Sequence, residues 1–274
     1  MADKDDEALL GIKGFKDSKH YEQVRPDYPK EAVEILMNKL GLLGEYRDKA
    51  KQLTVLELGA GTGKFTRVMA SVLHDANVRI IASDPVKEMC EQFKDMLPDI
   101  EIKQFGAENI DAPEESVHAV VAASCFHWFK FKESIDEIHR ALAPDGKFAV
   151  AWHFPSSQSI WMKPICDFLE PLYEKNCITW PLLHHEQIIN RISLSEKFSC
   201  GKMLPNVLTK LQVPPEKVFN HFSSYSVVVA ASDDEKMKFK KLFDETIKRH
   251  ISKTRENNLT VVHTCTVCLF EKII

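Results

Sequence analysis

Three glycines in alternation, Gly59, Gly61 and Gly63, follow a short apolar run from Leu53 to Leu58 in which Glu57 is the one acid. A second acid, Asp84, closes the next apolar run about twenty residues beyond the turn, where a carboxylate can take both hydroxyls of a ribose. Glycines so spaced turn the chain through conformations that a Cβ obstructs. They also bring main-chain N–H groups close to a ligand at a helix N-terminus. The chemistry expected here is the binding of a cofactor.

Dinucleotides and S-adenosylmethionine both use such a turn. A dinucleotide site, Gly-x-Gly-x-x-Gly, needs glycine at position 64, where Lys64 stands. A pyrophosphate brings two charges to the helix N-terminus, and Glu57 would repel them, whereas a cationic amino group suits it. Asp84 does not discriminate, because both ligands carry a ribose.

The elements that position these residues alternate. Leu53 to Leu58 reads as a strand buried on both faces, and Phe65, Val68, Met69 and Val72 continue at helical spacing to about Leu73. Asn77 to Ser83 is a second strand, followed by a helix with Met89, Phe93, Met96 and Leu97 on its inner side. Glu101 to Phe105 is a third, stopping at Gly106. Val117 to Ala123 is a fourth, opening into Ser124-Cys125-Phe126-His127-Trp128. A helix from Lys132 to Leu142, a Pro144-Asp145-Gly146 turn and a fifth strand, Lys147 to Trp152, complete the series. This alternation predicts an α/β fold, a doubly wound, Rossmann-like, mostly parallel sheet whose ligand crevice lies beyond the carboxyl ends of its strands.

Around that core, 1–44 read as an N-terminal arm and a covering helix from Pro29 to Leu43, and 45–154 as the cofactor-binding core. Residues 155–206 are rich in aromatics and prolines, show no strand repeat and read as an inserted helical cap. Residues 207–274 complete the sheet: a strand Val207 to Val213, a short helix Pro214 to Tyr225, a long helix Asp233 to Lys253 and an antiparallel C-terminal strand, Val261 to Phe270.

A net charge of -4 gives no global positive field to collect nucleic acid or an anionic membrane. The charged N-terminus and the lack of an apolar run near the roughly 20 residues that span a bilayer predict a cytoplasmic protein without a membrane partner. Seven cysteines, an odd number, suit reduced thiols. Cys265 and Cys268 have Cys-x-x-Cys spacing, but they fall in an apolar, β-branched run. In a strand they point to opposite faces, so no metal is expected there.

Glu57-Leu58-Gly59-Ala60-Gly61-Thr62-Gly63 followed by Asp84 resembles the class I S-adenosylmethionine-dependent methyltransferases. Tyr21-x-x-x-Arg25-Pro26-x-Tyr28-Pro29, Gly106-Ala107-Glu108 and Phe126-His127-Trp128-Phe129 are similar to its small-molecule branch, which includes the ubiquinone-biosynthesis type and trans-aconitate methyltransferase. The resemblance covers residues 15 to 154 well and the rest in outline. It implies a seven-stranded sheet with the last strand antiparallel, S-adenosylmethionine as cofactor, and O-, N- or S-methylation of a small acceptor. By position it places Gly59 and Gly61, with Ala60 between them, against the methionyl moiety, and Asp84, with Pro85 beside it, on the ribose. Ala107 and Glu108 would border the adenine, near Met89. Tyr21 and Arg25 would close over the cofactor, and Glu57 and Ser124 complete the set.

Transfer from a sulfonium is an in-line displacement, so the nucleophile must be held about 3 Å from the methyl group. A phenol or alcohol also needs its proton removed. His127 is the expected base, with His153 second. The acceptor is expected among Phe15, His127, Trp128, Trp152, His153, Trp161 and Tyr225, whose rings suit a small, partly apolar molecule. Arg25 would meet an acceptor carboxylate or pair with Glu108 or Asp84. Two alternatives are a protein or nucleic-acid methyltransferase and a non-catalytic cofactor-binding protein. Against a DNA amino-methylating enzyme, the Asn/Asp-Pro-Pro-aromatic signature is missing after the fourth strand. Both a monomer and a homodimer fit the sequence.

Overall fold

Leu53–Leu58 is an interior strand of the sheet, paired on both edges, with Val55, Leu56 and Leu58 buried. The structure is a computed structural model and describes residues 18–44, 48–156, 159–175, 181–254 and 258–274. In chain order the elements are α1 (Ser18–Val24), α2 (Lys30–Lys39), β1 (Leu53–Leu58), α3 (Lys64–Val72), β2 (Val78–Ser83), α4 (Lys87–Met96), β3 (Glu101–Lys103) and β4 (Val117–Ala123). They continue with α5 (Phe131–Ala141), β5 (Leu142–Pro155), α6 (Lys163–Lys175), α7 (Pro181–Ser193), β6 (Lys202–Met203), β7 (Val207–Val213), α8 (Pro215–Ser223), α9 (Ser226–Val229), α10 (Asp233–Thr254) and β8 (Leu259–Glu271).

The strand order is β3-β2-β1-β4-β5-β8-β6, with β7 also paired to β8. The ladders from β3 through β5 are parallel, and β6 runs antiparallel to β8. The order reverses between β1 and β4, and a doubly wound sheet binds its ligand beyond the carboxyl ends of the strands at such a point.

The sheet has eight strands where the resemblance implied seven. The two residues of β6 are too short to carry an alternation and are defined only by their pairing with Leu269 and Cys268. Pro144-Asp145-Gly146 does not separate a helix from a strand. Val117 pairs with Leu142 and Ala119 with Lys147, so the turn is an irregularity inside a longer β5. The covering helix is shorter than read, because Leu40 caps it and Gly41, at φ 77°, turns the chain away.

The chain forms two compact units. The sheet unit comprises Pro26–His153, Pro181–Val207 and Cys265–Ile274, and so takes in α7. Its core packs Val33, Leu36 and Met37 of α2 and Phe65 and Met69 of α3 against Val55, Ala119, Val121 and Ala149. Leu36 and Met37 are fully buried, and each such side chain contributes about 2 kcal/mol. The helical unit holds α1, α6, α8, α9, α10 and Leu208–Thr264. Its interior includes a ring cluster in which Phe219 lies 5.9 Å from Phe239 and 5.2 Å from Phe243, with Phe168 5.6 Å from Phe239. Among the described residues, no helix is long and apolar enough to cross a membrane.

Candidate cofactor and transfer site

Leu58 pairs with Ser83 on one side and Ala122 on the other, so the glycine turn starts between the ends of β2 and β4. Gly59, Gly61 and Gly63 adopt φ of 65°, 58° and 90°. Their surroundings differ. A Cβ on Gly59 would lie 2.8 Å from Cys125 Sγ, and one on Gly63 would lie 2.6 Å from Leu97 Cδ1. A Cβ on Gly61 would meet nothing within 4 Å, so this glycine faces an open cradle. Ala60 N–H donates to Ser83 O at 2.9 Å, which ties the turn to β2. Lys64, at the position that separates this turn from a dinucleotide site, begins α3 and is buried, with Nζ 3.6 Å from Asp27.

Two buried acids flank the cradle. Asp84 Oδ2 accepts the Gly61 N–H and Oδ1 the Val86 N–H, both at 2.9 Å. Burial pushes its carboxyl up to about 6 against the pull of those two donors. Glu57, 1% exposed, accepts from Thr66 Oγ1 at 2.6 Å. Burial, opposed by that bond and reinforced by Asp84, pushes Glu57 up to about 8. Burial thus resists the charge with which Glu57 was expected to repel a pyrophosphate. Neither acid has an ion-pair partner among the described residues. A cradle between two buried carboxylates that lack a cation fits a ligand with a ribose and a positive charge.

Beyond β4 the chain turns sharply at Ser124, whose φ is 55°. Its N–H donates to Ala151 O at 2.8 Å, and its Oγ lies 2.7 Å from Tyr28 Oη. Cys125 Sγ then donates to Leu58 O at 3.0 Å and occupies the space beside Gly59. A 3-10 turn, Phe126–Trp128, follows, with Phe126 buried against Phe129, Phe131 and Phe148. His127 and Trp128 are half-buried with ring centroids 5.2 Å apart. On β5, Trp152 is buried and its indole N–H meets no acceptor among the described residues, while His153 lies 5.2 Å from the Tyr28 ring.

After β3, Ala107 is buried. Glu108 is exposed, its carboxylate folded beside Gly106, where a Cβ would come within 2.6 Å of Oε2. A cavity of about 840 Å³ opens beside this loop, lined by Lys103, Phe105, Asn109 and Ile110 among others. Met89 is buried in α4, and Pro85 O accepts from Gln104 Nε2 at 3.3 Å. The sequence motifs that contain Tyr28 and Cys125 assign neither a role at the site. Tyr28 left a signal, standing in a segment stiffened by Pro26 and Pro29. Cys125 left none.

Four expected residues belong to the helical unit. Arg25 Nε donates to Ser224 Oγ at 2.9 Å and Nη2 to Ser224 O at 3.2 Å. Its guanidinium lies 4.3 Å from the Tyr225 ring and 5.1 Å from that of Tyr21. It has no acid partner among the described residues. The Tyr225 hydroxyl pairs with His221 Nε2 at 3.3 Å, and burial raises its pKa. Trp161 packs separately, with Nε1 donating to Thr260 O at 3.2 Å. Phe15 lies outside the described residues. Cys265 and Cys268 are buried in β8, and no group of metal-ligating side chains occurs among the described residues.

Comparison with known proteins agrees with this geometry. A methyltransferase domain family matches residues 55–146. An uncharacterized methyltransferase-like protein of Schizosaccharomyces pombe is 30% identical over 241 residues, covering 87% of this chain and 88% of that protein. The chain belongs to the class I S-adenosylmethionine-dependent methyltransferases. A second S. pombe protein, an uncharacterized methyltransferase, is 34% identical to this methyltransferase over 163 residues, 59% of this chain and 61% of that protein. The methyltransferase thus spans less than two thirds of that relative's length. Among solved structures, a protein from Anaeromyxobacter dehalogenans proposed to be a type II methyltransferase has a TM-score of 0.63 at 18% identity, covering 90% of this chain and 97% of that one, which supports the fold.

Proposed function

We propose that the methyltransferase acts on a small, partly apolar acceptor, with the cofactor held over the glycine turn and the acceptor met by the chain after β4. When bound, S-adenosylmethionine supplies a methyl group activated on a sulfonium. The chain's residues do the rest. Asp84 would hold the ribose hydroxyls with the lone pairs left by Gly61 and Val86 N–H. Gly59, Ala60 and Gly61 would lie along the methionyl group, and Glu57 would favour its cationic end. Pro85, Met89, Ala107 and Glu108 would border the adenosine, with Ser124 at the transfer end.

The observation that carries the reading is the 3-10 turn after β4. Its backbone is drawn onto the glycine turn by Cys125, and it presents His127 and Trp128 partly withdrawn from solvent. Such side chains suit a small acceptor with an apolar body, and His127 can take its proton. The test is a screen of small acids, thiols, amines and phenols with S-adenosylmethionine, read by mass spectrometry. One compound gaining a single methyl group supports the proposal. Methylation confined to added protein or nucleic acid would sink it.

A further inference from the structure

We propose that Tyr28 is a positioning residue of the transfer site. Acting through Ser124, it holds the backbone after β4 against the glycine turn and so shapes the seat of the methionyl end of S-adenosylmethionine. The inference rests on the cofactor placement proposed above.

Ser124 has a left-handed backbone, which a residue with a Cβ keeps only when its surroundings enforce it. Two restraints come from the adjacent strand: Ser124 N–H donates to Ala151 O at 2.8 Å, and His153 N–H donates to Ser124 Oγ at 3.4 Å. The third and shorter side-chain restraint is Tyr28 Oη at 2.7 Å, from a residue 96 positions earlier. The turn at Ser124 sets Cys125 into the space beside Gly59 that a Cβ would otherwise fill.

Tyr28 is itself fixed from several directions. Its ring meets Phe65 of α3 edge-on at 5.1 Å and 90°, and His153 lies at 5.2 Å. The preceding residue, Asp27, reaches Lys64 Nζ at 3.6 Å and Arg67 Nη2 at 3.2 Å, both on α3. The segment around Tyr28 is therefore tied to the first turns of α3, which follows the glycine turn, and to the end of β4, which lies beside it. A side chain joined to both sets the spacing between them. A phenylalanine would keep the ring contacts with Phe65 and His153 and lose the hydroxyl's bond to Ser124.

The full chain is titrated calorimetrically with S-adenosylmethionine, S-adenosylhomocysteine and adenosine, as wild type, Tyr28→Phe, Ser124→Ala and the double variant. Tyr28→Phe should weaken both amino-acid-bearing ligands by roughly 3- to 10-fold and leave adenosine within about twofold. Ser124→Ala should show the same pattern and keeps the test alive if Tyr28→Phe does not fold. The double variant should lose no more than Ser124→Ala alone, because that variant already removes the Tyr28 bond, together with the longer one from His153 N–H. Unchanged S-adenosylmethionine affinity, losses equal for adenosine, or additive losses would each overturn the proposal. Asp84→Ala tests the cofactor placement separately, because it should weaken adenosine as well. No effect of Asp84→Ala on any ligand would remove that placement, whatever Tyr28→Phe does.

Discussion

Thr66 Oγ1 donates to Glu57 Oε2 at 2.6 Å, so a hydroxyl in the first turn of α3 reaches back across the glycine turn to the acid near the end of β1. The bond favours the ionised carboxylate, yet burial outweighs it and pushes Glu57 up to about 8. A carboxyl whose pKa is raised on folding stabilises the native state below its unfolded value, and the contribution is lost as pH rises through the folded value. For Glu57 that window runs from the ordinary glutamate value of 4.5 to about 8; for Asp84 it runs from the ordinary aspartate value of 3.8 to about 6. Between pH 6.5 and 8.5 Glu57 therefore dominates, and stability from urea unfolding should fall by on the order of 2 kcal/mol. Glu57→Gln should flatten this interval. A wild-type curve already flat there would contradict the assignment.

The same burial predicts that cofactor binding is linked to protons. A positive charge brought beside Glu57 and Asp84 favours their ionised forms, so protons leave as a cationic ligand enters. Calorimetry at pH 7.5 in phosphate and in Tris, buffers with different heats of ionisation, should give different apparent enthalpies for S-adenosylmethionine. In Glu57→Gln the difference should shrink. Identical enthalpies in the two buffers for the wild type would show that no proton moves.

Gly59 and Gly61 should respond differently to the same substitution. Both have positive φ, so alanine at either position carries about 1 kcal/mol of backbone strain. At Gly59 the new methyl also meets Cys125, whose hydrogen bond to Leu58 O holds the chain after β4. Gly59→Ala should therefore lower the melting temperature more than Gly61→Ala. Gly61→Ala should melt close to wild type and still lose cofactor affinity, because its methyl enters the cradle. A Gly61→Ala variant that binds S-adenosylmethionine normally would mean that the cradle is not the seat.

The legibility of the fold tracked the length of each pattern. β1, β2 and β4 are mostly apolar runs of six or seven residues, closed by Gly59, Asp84 and Ser124, and each forms near its expected limits. β6, with two residues, carries no pattern and exists through its partner alone. Pro144-Asp145-Gly146 predicts a turn between helix and strand, whereas β4 pairs on both sides of it, which local residues do not reveal. At the site, Asp84 and the glycines announce themselves by type and spacing. Tyr28 and Cys125 act through Ser124 and Leu58, far away in sequence, so their roles appear only once the strands are adjacent.

Arg25 offers a test confined to the helical unit. Its planar group makes two bonds to Ser224 while lying over Tyr225, a geometry that the point charge of lysine does not reproduce. Arg25→Lys should destabilise the protein by about 1 kcal/mol, seen as a lower urea midpoint. If the midpoint does not move, these contacts contribute no stability.

His127 decides whether the chain supplies a base, and its effect should depend on the acceptor. The residue sits in a turn fixed by buried Phe126, with its own ring against Trp128. Replacing it by alanine should leave the strands and the glycine turn in place, so S-adenosylmethionine affinity should stay at the wild-type level. With an alcohol or phenol acceptor, the proton must leave during attack, and His127→Ala should lower kcat by roughly 10²-fold or more. A carboxylate or thiolate arrives already deprotonated, and the same variant should turn it over at nearly the wild-type rate. Measuring kcat for both acceptor types beside the cofactor Kd separates the cases. Equal losses on both, with Kd unchanged, would assign His127 to holding the acceptor rather than to accepting its proton.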